Sequence, residues 1–345
     1  MNFKNFISVI CPIYNEKEYI KECVESILAQ DYPNHLLEVL FVDGISTDNT
    51  REIIKDFTVK YNFMKLLNNP YNIASHALNI GIKASVGDII IRIDAHCAYP
   101  YNYFSSLIDN LNKLNADNVG GVILTKPANS SAIARAIATA MSHPFGVGNS
   151  LFRIGVKKVK KVDTVPFGCF RRTLFDRIGF FDTDLIRNQD DEFNARIIKN
   201  GGKIYLIPSI EVSYYTRGQI PKVGQMFYQY GLFKPLVNRK LGAPATLRQF
   251  IPILFIFGII ISALIGIFIR SALFITMSFI IIYILLSLGF SIIESIQQSS
   301  IRNLFFLPIV FLVIHLSYGW GYIVGIYHFL VLGKSSISVH ENRSK

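Results

Sequence analysis

The stretch Ser8-Val9-Ile10-Cys11-Pro12-Ile13-Tyr14-Asn15-Glu16 begins apolar and turns polar at its end. The apolar run over residues 6–11, rich in β-branched residues, predicts a buried strand that ends at a proline. A second run, over residues 38–42, is closed by Asp43-Gly44 and predicts a second strand. Between the two runs, apolar residues recur at helical spacing over residues 18–30. The chain therefore opens as strand, helix, strand.

The alternation continues along the chain, with predicted helices over residues 51–57 and 73–84 and predicted strands over residues 64–67 and 88–93. Strands and helices that alternate at this interval favour an α/β fold, with a parallel sheet covered by helices on both faces. Such sheets bind ligands at the carboxyl ends of their strands. Those ends carry the candidate site residues, which lie in Pro12-Ile13-Tyr14-Asn15-Glu16, at Asp43 and in Asp94-Ala95-His96.

Composition and charge limit the classes of function. The chain of 345 residues has a formal net charge of +11, and residues 217–248 contain six basic residues and no acidic one, directly before an apolar region. Basic residues in that place meet anionic lipid head groups, which favours a membrane surface over nucleic acid as the partner. The sequence contains neither G-x-G-x-x-G nor G-x-x-x-x-G-K-[ST]. This argues against a dehydrogenase-type dinucleotide site and against a P-loop.

The four cysteines are scattered along the chain without a C-x-x-C pair. Their spacing predicts neither a zinc site nor a disulfide framework, and it suits a reducing compartment. The first residues lack a charged start followed by a long apolar core, so we expect no signal peptide. The polar part of the chain should then stay in the cytoplasm.

Three apolar stretches fill the end of the chain, at residues 250–269, 271–293 and 304–332. A helix needs about 20 apolar residues to cross a bilayer, so they predict about three transmembrane helices rather than the core of a soluble protein. The third stretch contains a proline and three glycines, which predict a kink or a tilt. Basic residues in the tail conflict with an outer C-terminus, so a third stretch that re-enters or lies flat stays open.

These features divide the chain into a domain over residues 1–215, a basic segment 216–249, the apolar region 250–332 and a polar tail 333–345. Within the basic segment, Val223, Met226, Phe227 and Tyr230 share one face of a predicted helix. That face indicates either a helix that lies in the membrane interface or one that packs on the first domain.

The motifs of the first 235 residues, taken in order, resemble a known family. They are Ser8-Val9-Ile10-Cys11-Pro12-Ile13-Tyr14-Asn15-Glu16, Phe41-Val42-Asp43-Gly44-Ile45-Ser46-Thr47-Asp48, Asn79-Ile80-Gly81-Ile82-Lys83-Ala84, Gly87-Asp88-Ile89-Ile90, Asp94-Ala95-His96 and Gln189-Asp190-Asp191-Glu192. In this order they resemble family 2 glycosyltransferases, which have the GT-A nucleotide-sugar-binding fold. Gly146-Val147-Gly148-Asn149 and Asp163-Thr164-Val165-Pro166-Phe167-Gly168 are similar to the branch with the succinoglycan-type exopolysaccharide glucosyltransferases.

The resemblance implies roles for the strand-end residues. Asp43 is expected to accept a hydrogen bond from the uracil ring of the donor. Pro12, Tyr14 and Glu16 are expected to line the same donor-binding pocket.

Asp94 is expected to bind the donor's diphosphate through a divalent metal that His96 also ligates. Residues i and i+2 of an extended strand face the same side, so both can reach one ion. Where the family usually has a second aspartate, this chain has His96. A carboxylate with an imidazole suits Mn²⁺, whereas Mg²⁺ prefers oxygen ligands, and both metals stay open.

The acidic stretch Gln189-Asp190-Asp191-Glu192 predicts the first turn of a helix that runs to Lys199, a place where the helix dipole favours negative charge. The resemblance implies in addition that Asp190 is the general base that takes the proton of the acceptor hydroxyl. Asp191 is the alternative base.

Together these features predict an inverting, metal-dependent hexosyltransferase that moves a sugar from a nucleotide sugar, expected to be a UDP-sugar, to a lipid-linked or polysaccharide acceptor in cell-surface glycan synthesis. We expect a multi-pass protein of the inner cell membrane, with a cytoplasmic catalytic domain and without nucleic acid as a partner. The alternatives are a polyprenyl-phosphate glycosyltransferase and a non-catalytic nucleotide-binding membrane scaffold.

Overall fold

The computed structural model describes residues 4–244 and 246–335, so residues 336–345 of the predicted polar tail lie outside the described residues. The chain divides into two compact units. The first comprises the chain up to Leu124 together with Ile154–Tyr214, and the second comprises Thr125–Arg153 together with the chain from Tyr215 onward. The sequence patterns did not indicate that residues 125–153 belong with the C-terminal helices.

Nine strands, counted over the described residues, form one sheet. Their order is β3-β2-β1-β4-β8-β6-β9-β5, and β7 pairs with β9 beside that path. The strands are β1 (Ile7–Ile13), β2 (Leu37–Asp43), β3 (Met64–Asn68), β4 (Ile89–Arg92), β5 (Cys97–Ala98), β6 (Asn118–Lys126), β7 (Lys160–Lys161), β8 (Cys169–Arg171) and β9 (Ile204–Tyr215).

The α-helices follow the strands in alternation at first and then dominate the chain. They are α1 (Ile20–Leu28), α2 (Thr50–Lys60), α3 (Ala74–Ala84), α4 (Tyr103–Lys113), α5 (Ala132–Ser142), α6 (Pro144–Val147), α7 (Leu151–Ile154), α8 (Arg172–Ile178), α9 (Gln189–Lys199), α10 (Ile220–Leu241), α11 (Ile251–Phe268), α12 (Ala272–Gln297) and α13 (Ile301–Gly325). The predicted α/β fold is confirmed, and the early elements begin and end within a few residues of their predicted bounds.

The prediction of a wholly parallel sheet is correct for four strands and wrong for the others. β1 pairs in parallel with β2 and β4, and β2 pairs in parallel with β3. β8 pairs antiparallel with both β4 and β6, and β9 pairs antiparallel with β5 and β7. Three of these later strands have only two or three residues, which is too short for a periodic pattern to reveal them.

The register of the parallel strands brings their carboxyl ends to one edge of the sheet. Ile13 is the partner of Asp43, Asp43 is the partner of Asn68, and Ile10 is the partner of Arg92. β2 is buried at all seven positions, as expected of a strand covered on both faces. On α3, a Cβ on Gly81 would lie 2.5 Å from a methyl group of Ile10, so this glycine allows the helix to pack closely on the sheet.

Three segments of the second unit are long and apolar enough to cross a membrane, among the residues that the structure describes. They are Leu247–Phe268, Ala272–Gln297 and Ile301–Val331. The third segment is helical over its whole described length, and the predicted kink or tilt stays a prediction. α13 continues through Pro308 to Gly325 and then as a π-helix over Ile326–Val331.

Two glycines of α13 allow this helix to pack closely on α10. A Cβ on Gly321 would lie 2.1 Å from the carbonyl oxygen of Tyr228, and a Cβ on Gly325 would lie 2.2 Å from that of Leu232. Both carbonyls belong to α10, so the two helix backbones approach more closely than any larger residue would permit. On α10, Val223, Met226 and Phe227 are buried. The proposed place of α10 at a membrane interface stays a prediction.

Candidate active site

The carboxyl end of β2 carries Asp43, whose side chain is fully buried. Its Oδ1 accepts a hydrogen bond from the Ser46 hydroxyl at 2.5 Å, and its Oδ2 accepts from the Ser46 backbone amide at 3.1 Å. Arg51, in the first turn of α2, forms an ion pair with the same carboxylate and donates to the side-chain oxygen of Asn68 at 2.9 Å. Ser46 and Arg51 therefore hold Asp43 in place. Its role at the donor's base stays a prediction.

The loops that follow β1 and β2 are joined by hydrogen bonds. The backbone amide of Asn15 donates to Ser46 Oγ at 2.9 Å, and its side-chain oxygen accepts from the Thr47 amide at 2.8 Å. The amide of Glu16 donates to Thr50 Oγ1 at 2.8 Å. Asn15 has a φ of 55°, a left-handed conformation that asparagine tolerates better than most residues. The turn at Asn15 therefore places Glu16 beside the loop that follows Asp43.

Glu16 meets two residues that follow β4. His96 Nδ1 lies 3.0 Å from Asp94 Oδ1 and 3.2 Å from Glu16 Oε1. The ligand atoms of the three side chains lie within 4.8 Å of one another. Two carboxylates and one imidazole, each partly accessible, form a donor set that fits a divalent cation such as Mn²⁺. The sequence paired Asp94 with His96 but gave Glu16 a place in the pocket for the base, and the structure brings all three together.

Two tyrosines contact this cluster and help to fix its position. The Asp94 amide donates to the Tyr99 hydroxyl at 2.7 Å, and that hydroxyl donates to the Asp94 carbonyl at 3.1 Å. The His96 ring meets the ring of Tyr214 edge-on, with centroids 5.1 Å apart. Burial raises the pKa of Tyr99 well above its usual range, so its hydroxyl keeps the proton that it donates.

Buried thiols lie close to the same cluster. The Cys23 thiol donates to the Asp94 carbonyl at 3.6 Å. Burial raises the pKa of Cys11 and of Cys97 well above the ordinary thiol value, and the negative charges of Asp94 and Glu16 raise both further. A metal ligand or a nucleophile must be a thiolate. The Cys11 and Cys97 thiols therefore stay neutral and act as small apolar packing groups.

Asp190 lies in the first turn of α9 and forms an ion pair with Arg92. Arg92 is the last residue of β4, it is buried, and it precedes Asp94 by two residues. Its guanidinium also lies 6.0 Å from the centroid of the Phe167 ring. The strand that leads to Asp94 thus contacts the predicted base directly.

Glu192, which also lies in the first turn of α9, stabilises the fold. Its carboxylate accepts two hydrogen bonds from Arg196, each at 2.7 Å. Arg196 also donates to the carbonyl oxygens of Ile178 and Phe180. This carboxylate therefore fixes the chain that enters α9.

Four of the predicted site residues, Asp43, Glu16, His96 and Asp94, are connected by a continuous series of contacts. It runs from Asp43 through Ser46 and Asn15 to the turn at Glu16, and then to His96 and Asp94. Tyr14 is 37% exposed beside this turn, and Pro12 faces Val42 in the register of β1 and β2.

Sequence reasoning missed Arg51 and Arg92. A single arginine in a helix or at the end of an isoleucine-rich strand carries no distinguishing pattern. The one available signal was Arg92 itself, a charge in a run of apolar residues that predicts a buried strand.

A family model for glycosyl transferase family 2 matches residues 8–180. A dolichyl N-acetylglucosaminyl phosphate 3-β-D-2,3-diacetamido-2,3-dideoxy-β-D-glucuronosyltransferase of Methanococcus voltae is 37% identical over 246 residues, which are 68% of this chain and 75% of that protein. The succinoglycan biosynthesis protein ExoA of Rhizobium meliloti is 29% identical over 248 residues, which are 71% of this chain and 74% of that protein.

Among solved structures, a mannosyltransferase of Pyrobaculum calidifontis in complex with GDP-mannose and Mn²⁺ resembles this chain with a TM-score of 0.54 and 19% identity. The similarity covers 92% of this chain and 88% of that one, and at this level of identity it supports the GT-A-type fold alone. The family match spans β1 to α8, and it includes the loops that carry Asp43, Glu16, Asp94 and His96. The chain is a glycosyltransferase and belongs to glycosyl transferase family 2.

Proposed function

We propose that this chain transfers a sugar from a UDP-sugar to a lipid-linked acceptor, with inversion at the anomeric carbon. The observation that carries the proposal is the continuous set of contacts from Asp43 to His96 and Asp94 at the carboxyl edge of the parallel strands. The Methanococcus voltae relative, named for transfer to a dolichyl-linked sugar phosphate, supports the class of acceptor.

In this proposal Asp43 receives the N–H edge of the uracil ring, since a carboxylate only accepts hydrogen bonds. Glu16, Asp94 and His96 hold the divalent cation. The bound cation would neutralise the developing charge of the diphosphate leaving group. We propose Mn²⁺ as this cation, since carboxylate oxygens suit it and an imidazole is tolerated beside them, and Mg²⁺ is the alternative.

Asp190 accepts the proton of the acceptor hydroxyl while that oxygen attacks the anomeric carbon. The bond between this carbon and the diphosphate oxygen breaks in the same step, and the proton remains on Asp190. One base and a direct displacement invert the anomeric centre. Arg92 holds the Asp190 carboxylate in place through an ion pair.

Steady-state kinetics of Asp190→Asn test the assignment of the base. We expect kcat to fall by a factor of about 10² to 10⁴ with little change in the KM for the donor, because general base catalysis is worth about that much. Asp56→Asn, on the exposed part of α2, is the matched control and should retain wild-type turnover. Unchanged kcat in Asp190→Asn would remove this residue as the base.

Metal removal tests the second part of the proposal. Chelation with EDTA should abolish transfer, and Mn²⁺ should restore it in the wild type. His96→Ala should need a higher Mn²⁺ concentration for half-maximal rate, because one of three ligands is lost. Full activity in EDTA would contradict the metal site.

Offering polyprenyl phosphate and a polyprenyl-linked sugar as competing acceptors distinguishes the proposed reaction from polyprenyl-phosphate glycosylation.

A further inference from the structure

A cavity of about 350 Å³ opens within the second unit. It is lined by residues of α5, by the chain that precedes this helix and by the end of α12. The polar side chains around it include Thr125, Arg135, Thr139, His143, Glu294 and Gln298. A cavity of this size and polarity can receive a small hydroxylated ligand.

Glu294 is the central acceptor of this cavity. Its side chain is 15% exposed, and its Oε2 accepts a hydrogen bond from Gln298 at 2.7 Å. Its Oε1 lies 3.9 Å from His143 Nε2, which is too far for a hydrogen bond. A carboxylate oxygen so largely removed from water is stabilised when a ligand donates to it.

Other polar groups of the cavity point to the same kind of ligand. The buried hydroxyl oxygen of Thr125 has no hydrogen-bond partner among the described residues. The Thr139 hydroxyl lies 3.2 Å from Gln298 Oε1, to which it can donate, and 3.2 Å from Gln298 Nε2, from which it can accept. Arg135 donates from Nη1 to the Ser130 carbonyl. Its other guanidinium N–H groups can donate to an anion. The carboxylate and the hydroxyl oxygens can accept hydrogen bonds from the hydroxyl groups of a sugar, and the guanidinium can bind a phosphate. The cavity therefore suits a sugar that carries a phosphate.

The position of Glu294 along α12 relates the cavity to the membrane. Glu294 lies 22 residues after Ala272, which corresponds to about 33 Å of α-helix. The hydrocarbon core of a bilayer is about 30 Å thick. If α12 spans the bilayer from Ala272, Glu294 therefore lies at the far membrane surface, where the apolar part of the helix ends.

Short connections determine which surface this is. α11 and α12 are separated by Ile269, Arg270 and Ser271, so they form a hairpin. The end of α12 then returns to the face at which the chain enters the membrane near Leu247, and α13 begins on that face at Ile301. The head group of a lipid lies at such a surface, with its polyprenyl chain in the apolar layer.

We infer that this cavity binds the glycosyl phosphate head group of the lipid-linked acceptor. The sugar hydroxyls donate to Glu294 and contact Thr139, and the phosphate meets Arg135. The inference rests on the proposed function, because it assigns a binding site to the acceptor of that reaction.

Equilibrium binding to the full chain in detergent micelles tests the inference. The probe is a radiolabelled short-chain polyprenyl N-acetylglucosaminyl phosphate, and the competitors are N-acetylglucosamine 1-phosphate and polyprenyl phosphate. Glu294→Gln and Thr139→Val should each weaken binding of the probe by about tenfold, as expected for the loss of one bond to a charged or polar partner. Glu25→Gln, an exposed residue of α1, should bind as the wild type does.

The sugar phosphate should compete with the probe at higher concentration, which would show that the head group is recognised and that the lipid adds affinity. Equal binding of the probe by wild type and both variants would overturn the inference. So would competition by polyprenyl phosphate alone with the sugar phosphate inactive.

Hydrolysis of the donor, measured on the same samples without acceptor, keeps the two proposals apart. A wild type that neither hydrolyses the donor nor transfers its sugar to the probe would contradict the proposed function, while the binding data still decide the cavity. If Glu294→Gln lost hydrolysis through misfolding, Thr139→Val, which keeps the side-chain size, decides the question.

Discussion

The guanidinium of Arg92 is buried beside the ring of Phe167 and contacts the carboxylate of Asp190. A buried arginine is stable only when its charge is compensated, and Asp190 compensates it. The same contact fixes where the carboxylate points, because the planar guanidinium restricts its orientation more than an ammonium group does. Arg92 is therefore a positioning residue for the proposed base.

Arg92→Gln should lower kcat by about a hundredfold, the effect of misplacing a catalytic group by about 1 Å. The KM for the donor should change little, since Arg92 contacts Asp190 rather than the residues around Asp43. Arg92→Lys keeps the charge and should restore part of the rate. Arg171→Gln, a neighbouring arginine bonded to Asn112, is the control. A wild-type kcat in Arg92→Gln would contradict the positioning role.

At the scale of elements, one carboxylate connects the parallel strands at the edge opposite the site. Glu38 of β2 accepts from the Ser8 hydroxyl of β1 at 2.6 Å and from the Val86 amide at 2.7 Å, and Lys65 of β3 lies 3.2 Å away. Burial raises the pKa of Glu38, but these hydrogen bonds and the ammonium of Lys65 outweigh it, and the pKa falls below its ordinary value of 4.5.

The sign of this shift predicts how stability depends on pH. A carboxyl group with a lowered pKa in the folded state stabilises the fold above about pH 4.5 and loses that contribution as the pH falls. Glu38→Gln should lower the free energy of unfolding by about 2 kcal/mol at pH 7 and by less at pH 3.5. Urea unfolding at both pH values measures the difference. An equal loss at both would show that the charge does not contribute.

The packing of α10 against α13 predicts a second element-scale effect. Gly321→Ala places a methyl group 2.1 Å from the Tyr228 carbonyl, so the helices must separate, at a cost of about 1–3 kcal/mol. The midpoint of thermal unfolding in detergent should fall. Gly289→Ala on α12, where a Cβ would meet nothing within 4 Å, is the matched control and should keep the wild-type midpoint or raise it. Equal midpoints for both variants would mean that the close approach does not stabilise the unit.

At the scale of the whole molecule, the arrangement of the three apolar segments can be tested with single thiols. The four native cysteines are buried, so they should react slowly with a membrane-impermeant maleimide. If α11 and α12 cross as a hairpin, Arg270→Cys and Ser299→Cys should react from opposite sides of sealed vesicles. In right-side-out vesicles Arg270→Cys should react at once and Ser299→Cys only after permeabilisation. Labelling of both from one side would contradict the hairpin.

Many residues of the candidate site could be predicted because the local sequence indicates where each buried strand ends and which polar residues follow it. Apolar runs closed by Asp43 and by Asp94 show where buried strands stop, and parallel strands bring their carboxyl ends to one edge. The order of the motifs then indicated the family. The three apolar segments were predictable for a simpler reason, since length and composition alone decide whether a helix can cross a bilayer.

Other features depend on contacts between residues that are distant in sequence. The approach of Glu16 to His96 results from the turn at Asn15 and from the register of β1 with β2 and β4. The ion pair of Arg92 with Asp190 joins residues 98 positions apart, and Gly321 and Gly325 of α13 lie against the backbone of α10. A linear pattern records which residues are apolar or charged. Only the folded chain, by closing loops and packing helices, determines which of them meet.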